Sequence, residues 1–268
     1  LLSPYHGGSH RGWAEGWQRH SRHEIEIHSL PARFWKWRMH GAAVTLARQL
    51  ANGPAADLLV ATDMLDLATV LALVRRQHAG LPVLLYMHEN QITYPLPADP
   101  ASGPMRRQAG ERDRHYGFVN FTSMLVADRV VFNSRFHRDE LLGALPAFLR
   151  HFPDHREVGR VAKIASRSEV LPVGLELEGM PDPVRPSDPS EPPLLLWNQR
   201  WEYDKNPAAL MRVLTRLADD GLDFRVALCG QRFGRRPRAL ERGLDSLGER
   251  VVHAGHLPRD AYLELLGR

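Results

Sequence analysis

Short apolar runs alternate with longer segments of helical spacing along almost the whole chain. The runs Asp57–Thr62 (DLLVAT), Val83–Met87 (VLLYM), Val130–Phe132 and Phe224–Cys229 are of strand length with little polar interruption, the pattern of strands buried on both faces. Glu24–Leu30 (EIEIHSL) alternates polar with apolar and predicts a strand with one wet face. Leu1–Pro4, Val170–Gly174 and Val251–His253 complete the expected strands. Helical spacing follows around Trp13 and Trp17, over Ala42–Ala51, Leu65–His78 and Arg112–Asp128, and from a Ser134 cap to Leu142. It returns over Arg238–Leu247 and Asp260–Leu266, while His151–Val158 reads as a surface helix-loop segment. Strict alternation of strand and helix implies an α/β fold, parallel sheets with helices on both faces.

The stretch Leu194–Pro207 (LLLWNQRWEYDKNP) carries the clearest junction. Its apolar start predicts a buried strand, and Asn206 followed by Pro207 predicts a capped helix with proline in its first turn. Arg200 and Lys205 lie in the loop between, where open α/β sheets bind ligands and helix amides favour anions. Two cations there suit a diphosphate; the alternative is a pair of solvated charges. Only three lysines, Lys36, Lys163 and Lys205, stand among 35 basic residues, so a lysine beside an arginine at this spot looks selected.

Three further segments hold candidate chemistry. Gly7 and Gly8 follow the first strand and would let the backbone approach a ligand, although the spacing is not that of a dinucleotide fingerprint and a plain chain turn is the alternative. His88-Glu89-Asn90-Gln91 leaves the Val83–Met87 strand as a block of polar groups that a ligand or a structural cap must satisfy. Between Pro31 and His40, Phe34, Trp35 and Trp37 interleave with Arg33, Lys36 and Arg38. That pattern suits base stacking and phosphate neutralisation, or a helix with its tryptophans packed inside. Pro95–Arg107 predicts a loop, and Arg112–Asp128 a helix with Tyr116, Asn120 and Ser123 on one face.

Six prolines between Glu178 and Pro193 predict an extended linker at 179–193, joining an N-terminal domain, 1–178, to a C-terminal one, 194–268. The chain starts with Leu in a strand and stops in a helix, so parts of the functional machinery are expected outside it. Hydrophobic residues at 43% and charged residues at 25% are those of a globular protein. A net charge of +4 and a pI near 9.5 leave room for a polyanion such as RNA. A single cysteine, Cys229, excludes internal disulfides and, with no apolar run long enough to span a bilayer and no signal peptide, suggests the cytoplasm. Its apolar neighbours predict a buried thiol. Zinc spacing, a nucleophile elbow and a P-loop are all absent from the sequence.

Tyr5-His6-Gly7-Gly8-Ser9-His10, Leu30–Arg38, the block His88–Gln91 with Tyr94-Pro95, Phe132-Asn133-Ser134, and Trp197–Pro207 together resemble the tRNA-queuosine α-mannosyltransferase family. The resemblance implies a GT-B fold, two Rossmann-like domains facing a cleft, with the C-terminal domain incomplete here. It implies retaining transfer of mannose from GDP-mannose to the cyclopentenediol of queuosine in the anticodon of tRNA(Asp), with no metal or other cofactor. Arg200 and Lys205, with Gly7 and Gly8, would bind the donor diphosphate, and His88 and Glu89 would act at the transferred sugar. Asn90, Gln91, Asn198, Gly230, Gln231, His256 and Leu257 would frame sugar and nucleotide. Ser9, His10, Arg33, Trp35, Lys36, Trp37, Arg38, Asn133 and Ser134 would meet the tRNA. An acidic Glu-x7-Glu motif of such enzymes is expected beyond residue 268. Another nucleotide sugar or a small-molecule acceptor, and a non-catalytic RNA-binding module of the same fold, are the alternatives.

Overall fold

A computed structural model describes residues 1–94, 105–182, 191–230 and 238–268. Two compact units divide the chain between Glu176 and Leu177. In the first, β1 (Leu2–His6), α1 (Gly8–His20), β2 (His28–Pro31), α2 (Trp35–Asn52), β3 (Leu59–Thr62), α3 (Leu67–Val74), β4 (Val83–Met87) and α4 (Met105–Val126) follow one another. Next come β5 (Arg129–Phe132), α5 (Arg135–Leu149), α6 (Arg160–Ala165) and β6 (Ser168–Val170). All six strands pair in parallel, in the order β2-β1-β3-β4-β5-β6. The second unit holds β7 (Leu194–Trp197), α7 (Pro207–Asp219), β8 (Arg225–Cys229), α8 (Arg238–Leu247), β9 (Val251–Gly255) and α9 (Arg259–Leu266). Its described strands form a parallel sheet in the order β7-β8-β9. Both units are therefore Rossmann-like.

Burial explains the composition of the strands. Every residue of β3 is buried, and β4 has only Leu84 partly exposed, because central parallel strands carry helices on both faces. Leu46, Leu85, Phe121 and Phe132 meet in the main core of the first unit. A smaller cluster of Met39, Met64 and Val119, with Trp35, Tyr116 and Tyr5 against it, lies beside it. In the second unit Trp201, Met211, Phe224 and Leu228 share the core. Cys229 is buried and unpaired, and burial pushes its thiol pKa up. No helix among the described residues is long and apolar enough to cross a membrane.

Several expected elements move. The alternating strand begins at His28 rather than Glu24, since its partner β1 is short and the ladder opens with Leu2 beside His28. The aromatic and basic segment is the first turn of α2, which starts at Trp35 and not at Ala42. Met105–Arg107 belongs to α4, not to a loop; residues 95–104 lie outside the described ones. The strand β7 is half-buried rather than buried, because it forms an edge of the described sheet. The helix α6 was not anticipated.

Leu85 is fully buried in the middle of β4. Leu85→Ala is expected to destabilise the first unit by about 2–5 kcal/mol, cavity included. Urea unfolding followed by circular dichroism checks this; an unchanged midpoint would contradict a packed core around β4.

Candidate active site

Between β1 and β3 the sheet changes its direction of growth, which opens a crevice at the carboxyl ends of those strands. The loops leaving β1, β3, β4 and β5 there carry Gly7, Asp63, His88–Gln91 and Asn133.

Side chains from three elements hold the loop after β4 by its backbone. The Asp63 carboxylate accepts the His88 amide N–H at 2.8 Å. Asn120, on α4, donates to the Asp63 carbonyl at 2.9 Å and accepts the Gln91 amide at 2.8 Å. Asn133, after β5, donates to the His88 carbonyl at 2.8 Å, and its amide oxygen meets His137 Nδ1 at 3.0 Å. Asn90 turns the loop, accepting the amides of Ile92 and Thr93 at 2.9 and 2.8 Å. Asp63 is 1% exposed, so burial, and then the charge of Glu89, raise its carboxyl pKa well above the usual range.

Fixing the backbone leaves the His88 ring facing other rings. His10 and Trp13, both on α1, lie 4.6 Å from it, and Tyr86 lies 4.8 Å away. Burial, then the charges of His10 and His137, bring the His88 pKa down to about 3, so its imidazole is neutral at physiological pH. Its Nε2 is buried with no hydrogen-bond partner. Leaving such an atom unsatisfied costs about 1–3 kcal/mol, which a substrate hydroxyl would offset. Tyr86 is anchored by its hydroxyl to the Leu171 carbonyl at 2.8 Å, and burial pushes its pKa up to about 12.

The other residues expected here divide. Gly7 is extended, and a Cβ on it would lie 2.5 Å from that of Ala32, so its smallness serves packing between two strand-to-helix turns. Gly8 sits at φ +51° with open space around it, where a side chain is disfavoured by backbone strain alone. Ser9 is exposed on the first turn of α1. Gln91 donates from its side chain to Glu89 at 3.3 Å. Asn90 is committed to the Ile92 and Thr93 amides and the Thr93 hydroxyl, Asn133 to the His88 carbonyl and His137 Nδ1, and the Ser134 hydroxyl caps α5 by accepting the His137 amide at 3.1 Å. Trp35 packs on Tyr116 with ring centroids 5.4 Å apart, whereas Trp37 is exposed. Lys36 reaches over the Trp35 ring at 5.5 Å, Arg38 donates to the Pro31 carbonyl, and Arg33 is exposed. Asp63, Trp13, Tyr86 and His137 were not anticipated as site residues; the placement of Asp63 directly after the buried run of β3 was the available signal.

In the second unit the Asn206 carboxamide caps α7 as expected, accepting the Ala209 amide at 3.2 Å from a left-handed backbone. Arg200 pairs with Glu202 at 3.3 Å and Lys205 with Asp204 at 3.0 Å. Asn198 donates to the Tyr262 hydroxyl at 2.6 Å. A Cβ on Gly230 would collide with the Gln199 carbonyl, and the Gly230 amide donates to the Gly255 carbonyl at 3.0 Å, so the strand ends meet closely. His256 is exposed and Leu257 half-buried; Gln231 lies outside the described residues. Among the described residues no group of three or more His, Cys, Asp or Glu is set to hold a metal ion.

Residues 1–175 match the family model described as tRNA-queuosine alpha-mannosyltransferase N-terminal. A tRNA-queuosine alpha-mannosyltransferase of Drosophila melanogaster is 33% identical over 276 aligned positions, covering 99% of this chain and 70% of the relative. The chain belongs to the tRNA-queuosine alpha-mannosyltransferase family. That is a family of glycosyltransferases, as the resemblance of its motifs implied. Among solved structures, UDP-N-acetylglucosamine 2-epimerase from Rickettsia bellii is similar at 10% identity with a TM-score of 0.43. The match covers 97% of this chain, which spans 62% of that structure.

The neutral His88 of this family member has a consequence for stability. Its folded pKa lies below the unfolded value near 6.5, so the unfolded chain binds the proton first and stability falls as pH drops through that value toward 3. A slope on the order of 1 kcal/mol per pH unit is expected over that window from this group. His88→Phe should flatten it in chemical unfolding curves taken between pH 7 and pH 5, and an unchanged slope would show that the ring is not held neutral.

Proposed function

We propose that this chain carries the transfer chemistry of its family: mannose passes from GDP-mannose to a hydroxyl of the cyclopentenediol of queuosine in tRNA(Asp), with retention. The bond from the sugar anomeric carbon to the diphosphate oxygen breaks, a bond to the acceptor oxygen forms, and GDP and the hydroxyl proton leave. Family membership across nearly the whole chain supports this reading, and the His88 ring carries it chemically. A buried, neutral imidazole with an unsatisfied nitrogen can hydrogen-bond a sugar hydroxyl without adding positive charge beside an oxocarbenium-like centre. Glu89 contributes the opposite charge on the same loop, stabilising that centre.

Arg200 and Lys205 are assigned to the departing diphosphate, where preorganised cations lower the barrier by neutralising developing charge. Glu202 and Asp204 hold them in the meantime, and a diphosphate, with more charge on more acceptor oxygens, exchanges for those carboxylates. In this scheme no metal is required, because the cations take its role. Gly8 and the start of α1 contribute backbone amides, and Asn198, Gly230, Gln231, His256 and Leu257 frame the nucleotide. Ser9, His10, Arg33 and Lys36 are assigned to the tRNA, and the reaction to the cytoplasm.

A transfer assay on the full-length protein with GDP-mannose and queuosine-containing tRNA tests the scheme. Lys205→Ala is expected to lower turnover roughly 100-fold. Equal rates would remove Lys205 from the diphosphate site. Product with UDP-sugars but not with GDP-mannose would overturn the donor, and product with no tRNA would overturn the acceptor.

A further inference from the structure

The first turns of α2 present two large rings to solvent. Phe34 is 76% exposed and Trp37 62% exposed. Phe34 is also the N-cap of α2 and sits at φ 51°, a left-handed conformation that costs a non-glycine residue on the order of 1 kcal/mol or more. An apolar ring held out in water by a strained backbone has no folding rationale of its own.

Trp37 is supported from below. Gly41 lies one turn further along α2, and a Cβ on it would run into the Trp37 ring. Glycine inside a helix sacrifices about 1 kcal/mol relative to alanine, and here it lets the indole lie close against the helix. Val44, 63% exposed, and the exposed Arg48 continue the same stripe at helical spacing. Trp35, by contrast, faces inward onto Tyr116, so the two tryptophans have separate tasks.

Charge indicates what covers the stripe. No acidic residue occurs between Glu26 and Asp57, a span that includes Arg33, Lys36, Arg38 and Arg48. The N-terminus of α2 has no acidic residue in its first turn and no side-chain cap, so its amides add to the positive potential. Flat rings interleaved with cations and uncapped amides match alternating bases and phosphates. The start of α2 also follows β2 at the carboxyl edge of the sheet, and Gly7 packs on Ala32 just before it, which sets the stripe beside the turn leading to His10.

We infer that Phe34 and Trp37 form a stacking platform for two unpaired bases of an RNA strand, with Arg33, Lys36 and the α2 amides on the intervening phosphates. This rests on the reading of tRNA as the substrate and adds which residues grip its single-stranded part. The bases flanking the modified nucleotide in an anticodon loop have the required chemistry: unpaired, with free faces.

The test is anisotropy of labelled tRNA across a salt series. Phe34→Ala and Trp37→Ala should each weaken binding roughly 10-fold without changing the slope of log Kd against log salt, as expected for lost stacking. Trp37→Phe should recover most of the loss. Arg33→Ala with Lys36→Ala should instead lower that slope by about one to two. Gly41→Ala should weaken binding with the melting temperature unreduced, because it displaces the ring and not the helix. A Phe34→Ala, Trp37→Ala double variant that binds tRNA as tightly as the wild type overturns the platform and leaves the substrate intact. Wild-type protein that binds no tRNA overturns both.

Discussion

The buried Asp63 carboxyl accepting the His88 backbone amide is the contact on which the loop after β4 depends. Without Asp63 on the His88 N–H, the loop after β4 would leave the sheet with its polar backbone exposed to an apolar interior and nothing to aim its side chains. The two asparagines, Asn120 and Asn133, extend the same solution from neighbouring elements, each bridging two partners with the donor and acceptor ends of one carboxamide. The backbone is satisfied by groups on rigid elements. The loop backbone is thus satisfied while two ring nitrogens beside it, His88 Nε2 and His137 Nε2, stay buried without a hydrogen-bond partner.

The second unit uses a different device, local neutralisation. Arg200 and Lys205 each sit within a few residues of the carboxylate they pair with. The Arg200–Glu202 pair is open to solvent and contributes little to stability, so releasing it costs little, whereas Lys205 pairs with a buried carboxylate. Lys205 is the more constrained of the two, since its partner Asp204 is only 3% exposed against 28% for Glu202, the partner of Arg200. The two units thus differ in their electrostatics, one holding a neutral ring kept dry, the other charges kept paired.

Much of this was visible in the residues. The strands β4 and β7 and the helix α8 fall where their apolar patterns end, and the Asn206 and Ser134 caps act as their chemistry predicts. The polar block His88–Gln91 was identifiable because four such residues after a buried strand need partners, and in the structure Asn90 takes the cap while the His88 ring nitrogen stays unsatisfied. Side-chain direction was not readable. Asn90, Asn133 and Ser134 look like ligand contacts in sequence, yet each meets a nearby amide or carbonyl, and nothing in a linear pattern separates a loop's own needs from a substrate's. Trp35 and Trp37 differ only by the rotation of a helix whose start the pattern put several residues late. Asp63 and His137 escaped because their partners lie far along the chain or behind a cap; Gly7 was singled out for ligand approach, but its packing on Ala32, across a helix and a strand in sequence, was not readable.

The lone cysteine has a practical side. Cys229 is buried in β8 with its thiol pKa raised, so it reacts slowly with maleimides and other thiol reagents in the folded chain. A cysteine introduced on an exposed helix would then be the fast-reacting thiol, with no need to remove the native one. One such position in each unit, carrying a donor and an acceptor dye, would turn the chain into a molecular ruler for the distance between its two halves.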